Sequence, residues 1–176
     1  MDSARAPLSA RFADLLEQHR GIVFKVANTY CRHAEDRRDL TQEIAAQAWR
    51  AFVGYDPTRP FPTWLYRIAL NVAISQTRSV GVRAPTEALQ AHHEADAAFA
   101  VDDASTLHER DEHQRMLYAV IDRQTPLDRA LLLLWLDERS QREIADVLGI
   151  SESNVSTKLN RLKQRIREQL ADSELS

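Results

Sequence analysis

Residues that break helices or cross-link chains are scarce in this sequence. Its 176 residues include four glycines, six prolines and one cysteine. A single cysteine, Cys31, excludes an internal disulfide, and its pairing with His33 is too small a set for a metal site. Because glycine and proline are few while Ala, Leu, Arg, Glu and Gln are plentiful, the composition favours helices over strands.

Long apolar runs are also missing. The longest, ALLLLWL at 130–136, is far shorter than the roughly 20 apolar residues that span a bilayer. The opening residues, MDSARAPLSARF, lack the apolar core of a secretory signal. We therefore expect a cytoplasmic protein.

Charge is distributed unevenly, although the net charge is only −3. Residues 84–113 contain eight acidic side chains and one basic side chain, whereas residues 153–167 contain five basic side chains and none that is acidic. Local charge decides partner choice more than net charge does. The basic segment is thus a candidate contact for an anionic partner.

Helical periodicity divides the chain into two clusters. The N-terminal cluster predicts a helix pair broken near Gly21, a helix over about 36–52 and a helix over 61–79. The 36–52 helix has one apolar stripe, made of Leu40, Ile44, Ala48 and Phe52. The pattern fades over an acidic stretch and resumes near residue 112, with an apolar face of Met116, Leu117, Val120 and Ile121.

The predicted fold is all-α, with two small helical domains and a flexible acidic linker. We place the domains at 1–79 and 112–176 and the linker at 80–111. Thr125 followed by Pro126 predicts the start of one C-terminal helix, and Ser140 with Glu143 predicts a capping box on the next. Gly149 ends that helix and Ser151 caps the last. This arrangement is typical of a helix-turn-helix.

The last helix has two distinct sides. Val155, Leu159, Leu162, Ile166 and Leu170 form one apolar stripe, while amide, hydroxyl and cationic groups lie opposite. Such groups can meet base edges and phosphates in the major groove. The candidate base readers are Asn154, Ser156, Thr157 and Lys158; the candidate phosphate contacts are Arg161, Lys163 and Arg165. The alternative is an amphipathic hairpin with a solvated basic face.

The predicted helix FPTWLYRIALNVAISQTRS is both apolar and punctuated by polar residues. Its spacing predicts an inward stripe of Leu65, Ile68, Ala69 and Val72, and an outer row that includes Arg67, Asn71 and Arg78. Arginines and an amide beside aromatics suit single-stranded nucleic acid. Trp64 and Tyr66 could instead be core residues, and the sequence alone leaves both interpretations open.

In combination, DLTQEIAAQAWRAF, FPTWLYRIALNVAISQTR and the final helix-turn-helix resemble a bacterial RNA polymerase sigma factor. The size and two-domain plan resemble the extracytoplasmic-function group of the sigma-70 family. That resemblance implies core RNA polymerase and promoter DNA as partners, an anti-sigma factor that holds the protein at the inner membrane face, and neither a cofactor nor a small-molecule substrate.

The resemblance also implies roles for individual residues. Asp39, Gln42, Glu43 and Gln47 match the segment that docks on the polymerase clamp coiled coil, although a solvated charged face would look the same. Phe61, Trp64 and Tyr66 match the promoter-melting aromatics. The segment that reads the −10 element on the non-template strand contributes Arg67, Asn71, Ser75 and Arg78, with Asn71 at the position associated with a flipped base. The −35 reader corresponds to 151–161, which adds Ser151 and Ser153 to the candidates above.

Two other classes of function are considered. A stand-alone dimeric helix-turn-helix regulator explains the C-terminal half, but leaves the polar row of the 36–52 helix unexplained. An enzyme is disfavoured because the six histidines are scattered and no nucleophile–base set or phosphate-binding glycine loop is present.

Overall fold

The computed structural model describes residues 5–81 and 117–174, and side chains within 7–78 and 117–171. All regular structure in these ranges is helical. The N-terminal helices are α1 (Arg5–Gln18), α2 (Arg20–Tyr30), α3 (Ala34–Phe52) and α4 (Phe61–Gly81). The C-terminal helices are α5, described over 117–122, and α6 (Pro126–Leu136), α7 (Gln141–Leu148) and α8 (Glu152–Glu174). The all-α prediction is confirmed.

Local capping signals position the helix ends as predicted. The Thr125 side chain accepts a hydrogen bond from the amide of Asp128, and both halves of the Ser140–Glu143 capping box are formed. Gly149 adopts a left-handed φ of 68°, which glycine enters without steric penalty. The Ser151 hydroxyl then accepts from the amide of Asn154 at 3.2 Å. The turn therefore has a C-cap for α7 on one side and an N-cap for α8 on the other.

Two predicted boundaries move. The predicted break near Gly21 falls at His19, between the end of α1 at Gln18 and the start of α2 at Arg20, and the Ile22 amide donates to the His19 carbonyl at 3.0 Å. Gly21 lies in the first turn of α2 and does not terminate a helix. The C-terminal boundary of the N-terminal unit also differs from its predicted position. Helix α4 continues to Gly81, two residues into the predicted linker. The rest of that linker lies outside the described residues.

The buried stripe of α3 is confirmed, with Leu40, Ile44, Ala48 and Phe52 all buried. The stripe of α4 is wider than predicted, because α4 packs on α2 and α3 and also on α6 and α7. Ile68 and Val72 are only half-buried. The fully buried positions of this helix are Phe61, Leu65, Tyr66, Ala69, Leu70 and Ala73.

The C-terminal core follows the predicted faces with two differences, and one predicted core residue cannot be compared. Val120, Ile121, Ile144 and Ala145 are buried, as are Val155, Leu159 and Leu162 of α8. Leu117 is 42% exposed, Met116 lies outside the described residues, and Val147 rather than Leu148 is the buried residue at the end of α7. Buried side chains of both halves form one continuous cluster across α2, α4, α6 and α7.

Candidate polymerase and promoter interfaces

The N-terminal half of α8 presents an exposed polar face. Asn154, Thr157 and Arg161 are exposed on it, and their helix is anchored from behind by buried Val155 and Leu159. The exposed Ser151 and Ser153 lie at the first turn, where their hydroxyls are 3.1 Å apart. Ser156 and Lys158 are half-buried beside this face. The face is open to a ligand over about three helical turns.

The second half of α8 is tied to its own domain. Arg165 donates from Nη2 to Oδ2 of Asp128 at 2.7 Å and to Oε1 of buried Gln124 at 3.3 Å. The ammonium of Lys163 lies over the Trp135 ring, 4.4 Å from its centroid. These two cations, predicted to contact phosphates, are therefore already engaged with groups on or before α6 in this structure.

The outer face of α4 carries the predicted polar row. Arg67, Asn71, Ser75 and Arg78 are all exposed, and their spacings of four, four and three residues keep them on one side of the helix. The row extends along about 16 Å of helix. The polar row therefore lies on the exposed side of a helix whose opposite side is buried.

The three predicted melting aromatics occupy different environments. Phe61 is buried and Trp64 half-buried within a cluster of six Phe, Trp and Tyr rings, to which His19 adds a seventh ring beside Phe61. The other members are Phe12, Trp49, Phe52 and Tyr55. Tyr55 lies in the loop between α3 and α4, and its ring centroid is 5.0 Å from that of Trp64. Helical spacing gives no signal for this contact, because Tyr55 is outside both helices. Trp64 is consequently the one of the three with surface available for stacking on a base.

Tyr66 is completely buried in this arrangement. Its hydroxyl donates to Oδ2 of Asp137 at 2.9 Å, and the Arg139 guanidinium lies 5.4 Å from its ring centroid. Burial, with a further contribution from the Asp137 hydrogen bond, raises the pKa of Tyr66 above its ordinary value. A stacking role for Tyr66 requires that these C-terminal groups move away.

The predicted polymerase-binding row lies on the outer side of α3. Asp39, Gln42 and Glu43 are exposed, and Gln47 is half-buried. The Gln47 amide donates to Glu43 Oε1 at 2.7 Å, and Arg50 lies 3.9 Å from the same oxygen. These contacts order the side chains of Glu43 and Gln47, and the row remains accessible to a cationic partner.

Sites of other kinds are not found in the parts of the chain that the structure describes. No group of three or more His, Cys, Asp or Glu side chains there is placed to hold a metal ion. None of the described helices is long and apolar enough to cross a membrane.

Comparison with known proteins gives two family matches. Residues 15–81 match the model of sigma-70 region 2 and residues 114–166 match that of sigma-70 region 4. Together the matches cover more than half of the chain. The first contains α2, α3 and α4, and the second contains the helix-turn-helix.

Two curated relatives and one solved structure agree with the two family matches. The chain is 26% identical over 170 residues to the ECF RNA polymerase sigma factor SigW of Bacillus subtilis (strain 168), covering 92% of this chain and 89% of the relative. It is 29% identical over 162 residues to the ECF RNA polymerase sigma factor SigE of Mycolicibacterium smegmatis, covering 90% and 61%. The structure of CnrH in complex with the cytosolic domain of CnrY superimposes with a TM-score of 0.66 at 22% identity, covering 93% and 90%.

The order of the two matched regions and the length of the matches to SigW and SigE agree with the sequence resemblance. The chain belongs to the sigma-70 family of RNA polymerase sigma factors, in its extracytoplasmic-function group.

Proposed function

We propose that this protein binds core RNA polymerase and directs it to promoters by reading a −35 duplex and a −10 single strand. One observation carries the proposal: a single chain presents two exposed polar helix faces, on α4 and α8, each backed by a buried apolar core. A regulator that used only its helix-turn-helix would need no polar row on α4.

The −35 element is assigned to the first half of α8. Asn154 and Thr157 offer amide and hydroxyl groups that can bond base edges in the major groove, and Arg161 lies one turn further on for a base or phosphate. Ser151 and Ser153, at the helix N-terminus, suit a phosphate, which the helix dipole attracts. Ser156 and Lys158 flank the same face.

The −10 element is assigned to the outer face of α4. Asn71 can donate to and accept from the edge of an unstacked base, while Arg67 and Arg78 hold the backbone on either side. Ser75 lies between Asn71 and Arg78 on this row. Trp64, at the start of the helix, has the accessible ring that stacking requires. Phe61 supports that ring from inside the aromatic cluster.

The polymerase contact is assigned to α3. Asp39, Gln42, Glu43 and Gln47 form a carboxylate–amide row that complements an arginine-rich helix, since carboxylates pair with guanidinium groups in bidentate geometry. No covalent chemistry is needed. Binding energy that is gained only when bases leave the stack is enough to trap the melted strand.

Control by an anti-sigma factor is part of the proposal. CnrH, whose fold this chain shares, has been solved in complex with the cytosolic domain of CnrY. We place the protein in the cytoplasm, held at the inner membrane face when such a partner is membrane-bound.

Run-off transcription with purified core polymerase tests the function. We expect initiation from a promoter selected by the holoenzyme, and a loss of about fivefold or more for Asn71→Ala, because one good base contact contributes roughly 1–3 kcal/mol. Gln76→Ala, an exposed substitution on the same helix, is the matched control. Initiation no higher than that of core polymerase alone would refute the proposal.

A further inference from the structure

A buried amide bonds the corner between α5 and α6 to the second half of α8. Gln124 lies in this corner, and only 5% of the residue is exposed. Its Nε2 donates to the carbonyl of Val120 at 2.9 Å and to Oε1 of Gln169 at 3.1 Å. Its Oε1 accepts from Nη2 of Arg165 at 3.3 Å. One carboxamide therefore joins the end of α5 to two side chains of α8.

The corner is itself held in place by Arg129 of α6. The Arg129 Nε donates to the Gln124 carbonyl at 3.2 Å, and its Nη2 donates to the Asp122 carbonyl at 2.8 Å. The Gln124 amide donates to the Ile121 carbonyl at 3.0 Å. Because the backbone of Gln124 is bonded on both sides, its carboxamide has little freedom to change direction.

The apolar contacts of α8 weaken towards its C-terminal end. The first three residues of its apolar stripe are buried, whereas Ile166 and Leu170 are only half-buried. Over the same turns Arg165 donates to Asp128 at 2.7 Å as well as to Gln124. Hydrogen bonds are directional and apolar burial is not. The orientation of this end of α8 is therefore set by polar groups from the corner between α5 and α6.

The side of α8 that is held there is also the side that carries the −35 candidates. Spacings of seven, four and four residues place one row on this side, made of Asn154, Arg161, Arg165 and Gln169. Asn154 and Arg161 are exposed, while the other two bond Gln124. Asn154 lies about three turns, or about 17 Å, from Arg165. A rotation of the helix at its bonded end would therefore turn the exposed end by the same angle.

We infer that Gln124 is a positioning residue for the −35 element. It fixes the rotation of α8 about its own axis, and with it the direction in which Asn154 and Thr157 point. The inference rests on the proposed function, because α8 is the helix assigned to the −35 duplex. Small rotations matter, since a hydrogen bond to a base edge weakens steeply as it departs from linearity. Gln124 acts without touching DNA, because its side chain is buried.

Two substitutions of Gln124 separate positioning from general support of the fold. Gln124→Met keeps an unbranched side chain and removes every hydrogen bond of the carboxamide. Gln124→Glu keeps an oxygen acceptor for Arg165, which a carboxylate binds strongly, but loses the donor to the Val120 carbonyl. Gln164→Met, the same chemical change at an exposed position of α8, is the matched control.

Binding of promoter DNA by the complete holoenzyme tests the inference. Core polymerase with each full-length variant is titrated with a duplex selected by the parent holoenzyme, and with the same duplex after its −35 element is scrambled. The ratio of the two affinities is the −35 preference. Gln124→Met should lower this preference about fivefold or more, because losing one good base contact changes affinity by about that factor. Its affinity for the scrambled duplex should stay parental.

Urea unfolding of the same proteins provides the second readout. Gln124→Glu should keep the parental −35 preference although its urea midpoint falls, because the bond to Arg165 persists while a helix-end carbonyl loses its donor. Gln164→Met should match the parent in both measurements. A −35 preference that falls together with stability in both Gln124 variants, or that falls in neither, would overturn the positioning role.

The positioning role and the proposed function fail in different ways. A parent that prefers the intact −35 element, beside a Gln124→Met protein that prefers it equally, refutes the positioning role and leaves the proposed function standing. A parent holoenzyme with neither −35 preference nor run-off transcription refutes the proposed function. A lower urea midpoint for Gln124→Met would then show that the carboxamide supports only the fold.

Discussion

The Tyr66 hydroxyl donates a hydrogen bond to Oδ2 of Asp137 at 2.9 Å, across 71 positions of the sequence. This bond joins the helix assigned to the −10 strand to the start of the helix-turn-helix. Tyr66→Phe removes a bond to a charged group and keeps the ring, so we expect a loss of about 1.5–3 kcal/mol in unfolding free energy. Tyr66→Ala also leaves a cavity and should cost about 3–5 kcal/mol. Urea unfolding measures both, and a Tyr66→Phe protein as stable as the parent would show that the hydroxyl contributes nothing beyond the ring.

The contact that Asp137 makes with the N-terminal half should weaken in acid. Burial opposes ionisation of Asp137, but hydrogen bonds from Lys25, Tyr66 and Arg139 outweigh it and lower the pKa of Asp137. A group whose pKa is lowered on folding stabilises the fold above its unfolded pKa, near 3.9, and that contribution is lost as pH falls further. The unfolding free energy of the parent, measured in urea at each pH, should therefore approach that of Asp137→Asn between about pH 5 and pH 3.

The control for this titration is the difference in unfolding free energy between the parent and Asp137→Asn, taken at each pH. Glu143 also has a lowered pKa, mainly through its hydrogen bonds from Ser140, and lies 3.5 Å from Arg139. Because Glu143 titrates in both proteins, its contribution cancels in the difference between them. A parent–variant difference that stayed constant down to pH 3 would contradict a role for ionised Asp137.

Arg161 and Arg165 should respond differently to salt. Each phosphate contact that releases counterions contributes about 0.9 to the slope of log K against log salt concentration. Arg161 is exposed on the open face, so Arg161→Gln should lower the slope by about that amount. Arg165 is paired with Asp128, and Arg165→Gln should change the slope much less while lowering thermal stability.

Asp128→Asn provides the complementary variant for this experiment. It keeps the shape of the site and removes the charge that holds the Arg165 guanidinium, leaving only the longer bond to Gln124 Oε1 at 3.3 Å, so the salt slope should rise in magnitude if phosphates are within reach. Binding of polymerase holoenzyme to promoter DNA at several salt concentrations gives all the slopes. Equal reductions for Arg161→Gln and Arg165→Gln would show that Arg165 contacts phosphate in the complex.

The capping box at the head of α7 sets the geometry of the helix-turn-helix. Ser140→Ala removes the hydroxyl that accepts from the Glu143 amide at 3.2 Å, and losses of this kind cost about 1 kcal/mol. Urea unfolding should show that loss, whereas Gln141→Ala, at the next and exposed position, should be nearly neutral. A Ser140→Ala protein as stable as the parent would mean that water replaces the cap.

Local features of this fold could be predicted from the sequence, because their causes lie within a few residues. The α3 stripe follows from helical spacing, and the caps at Thr125, Ser140 and Ser151 follow from side chains that bond the adjacent amides. The outward row of α4 was also predictable, since Arg67, Asn71 and Arg78 share one side of a helix.

Features that depend on distant partners could not be predicted. The wide buried surface of α4 arises because α6 and α7 cover a second side of it. Arg165 was expected to contact phosphate, but its partner Asp128 lies 37 positions away. Neither spacing nor composition connects Asp137 to Lys25, which is 112 positions away in the chain.

Selection from a random DNA library tests the central claim most directly. Duplexes retained by core polymerase with this protein are sequenced beside those retained by the protein alone and by core alone. We predict two unlike motifs, near −35 and −10 at a fixed spacing, enriched only when both proteins are present. A palindromic motif enriched by the protein alone, with no dependence on polymerase, would contradict the account.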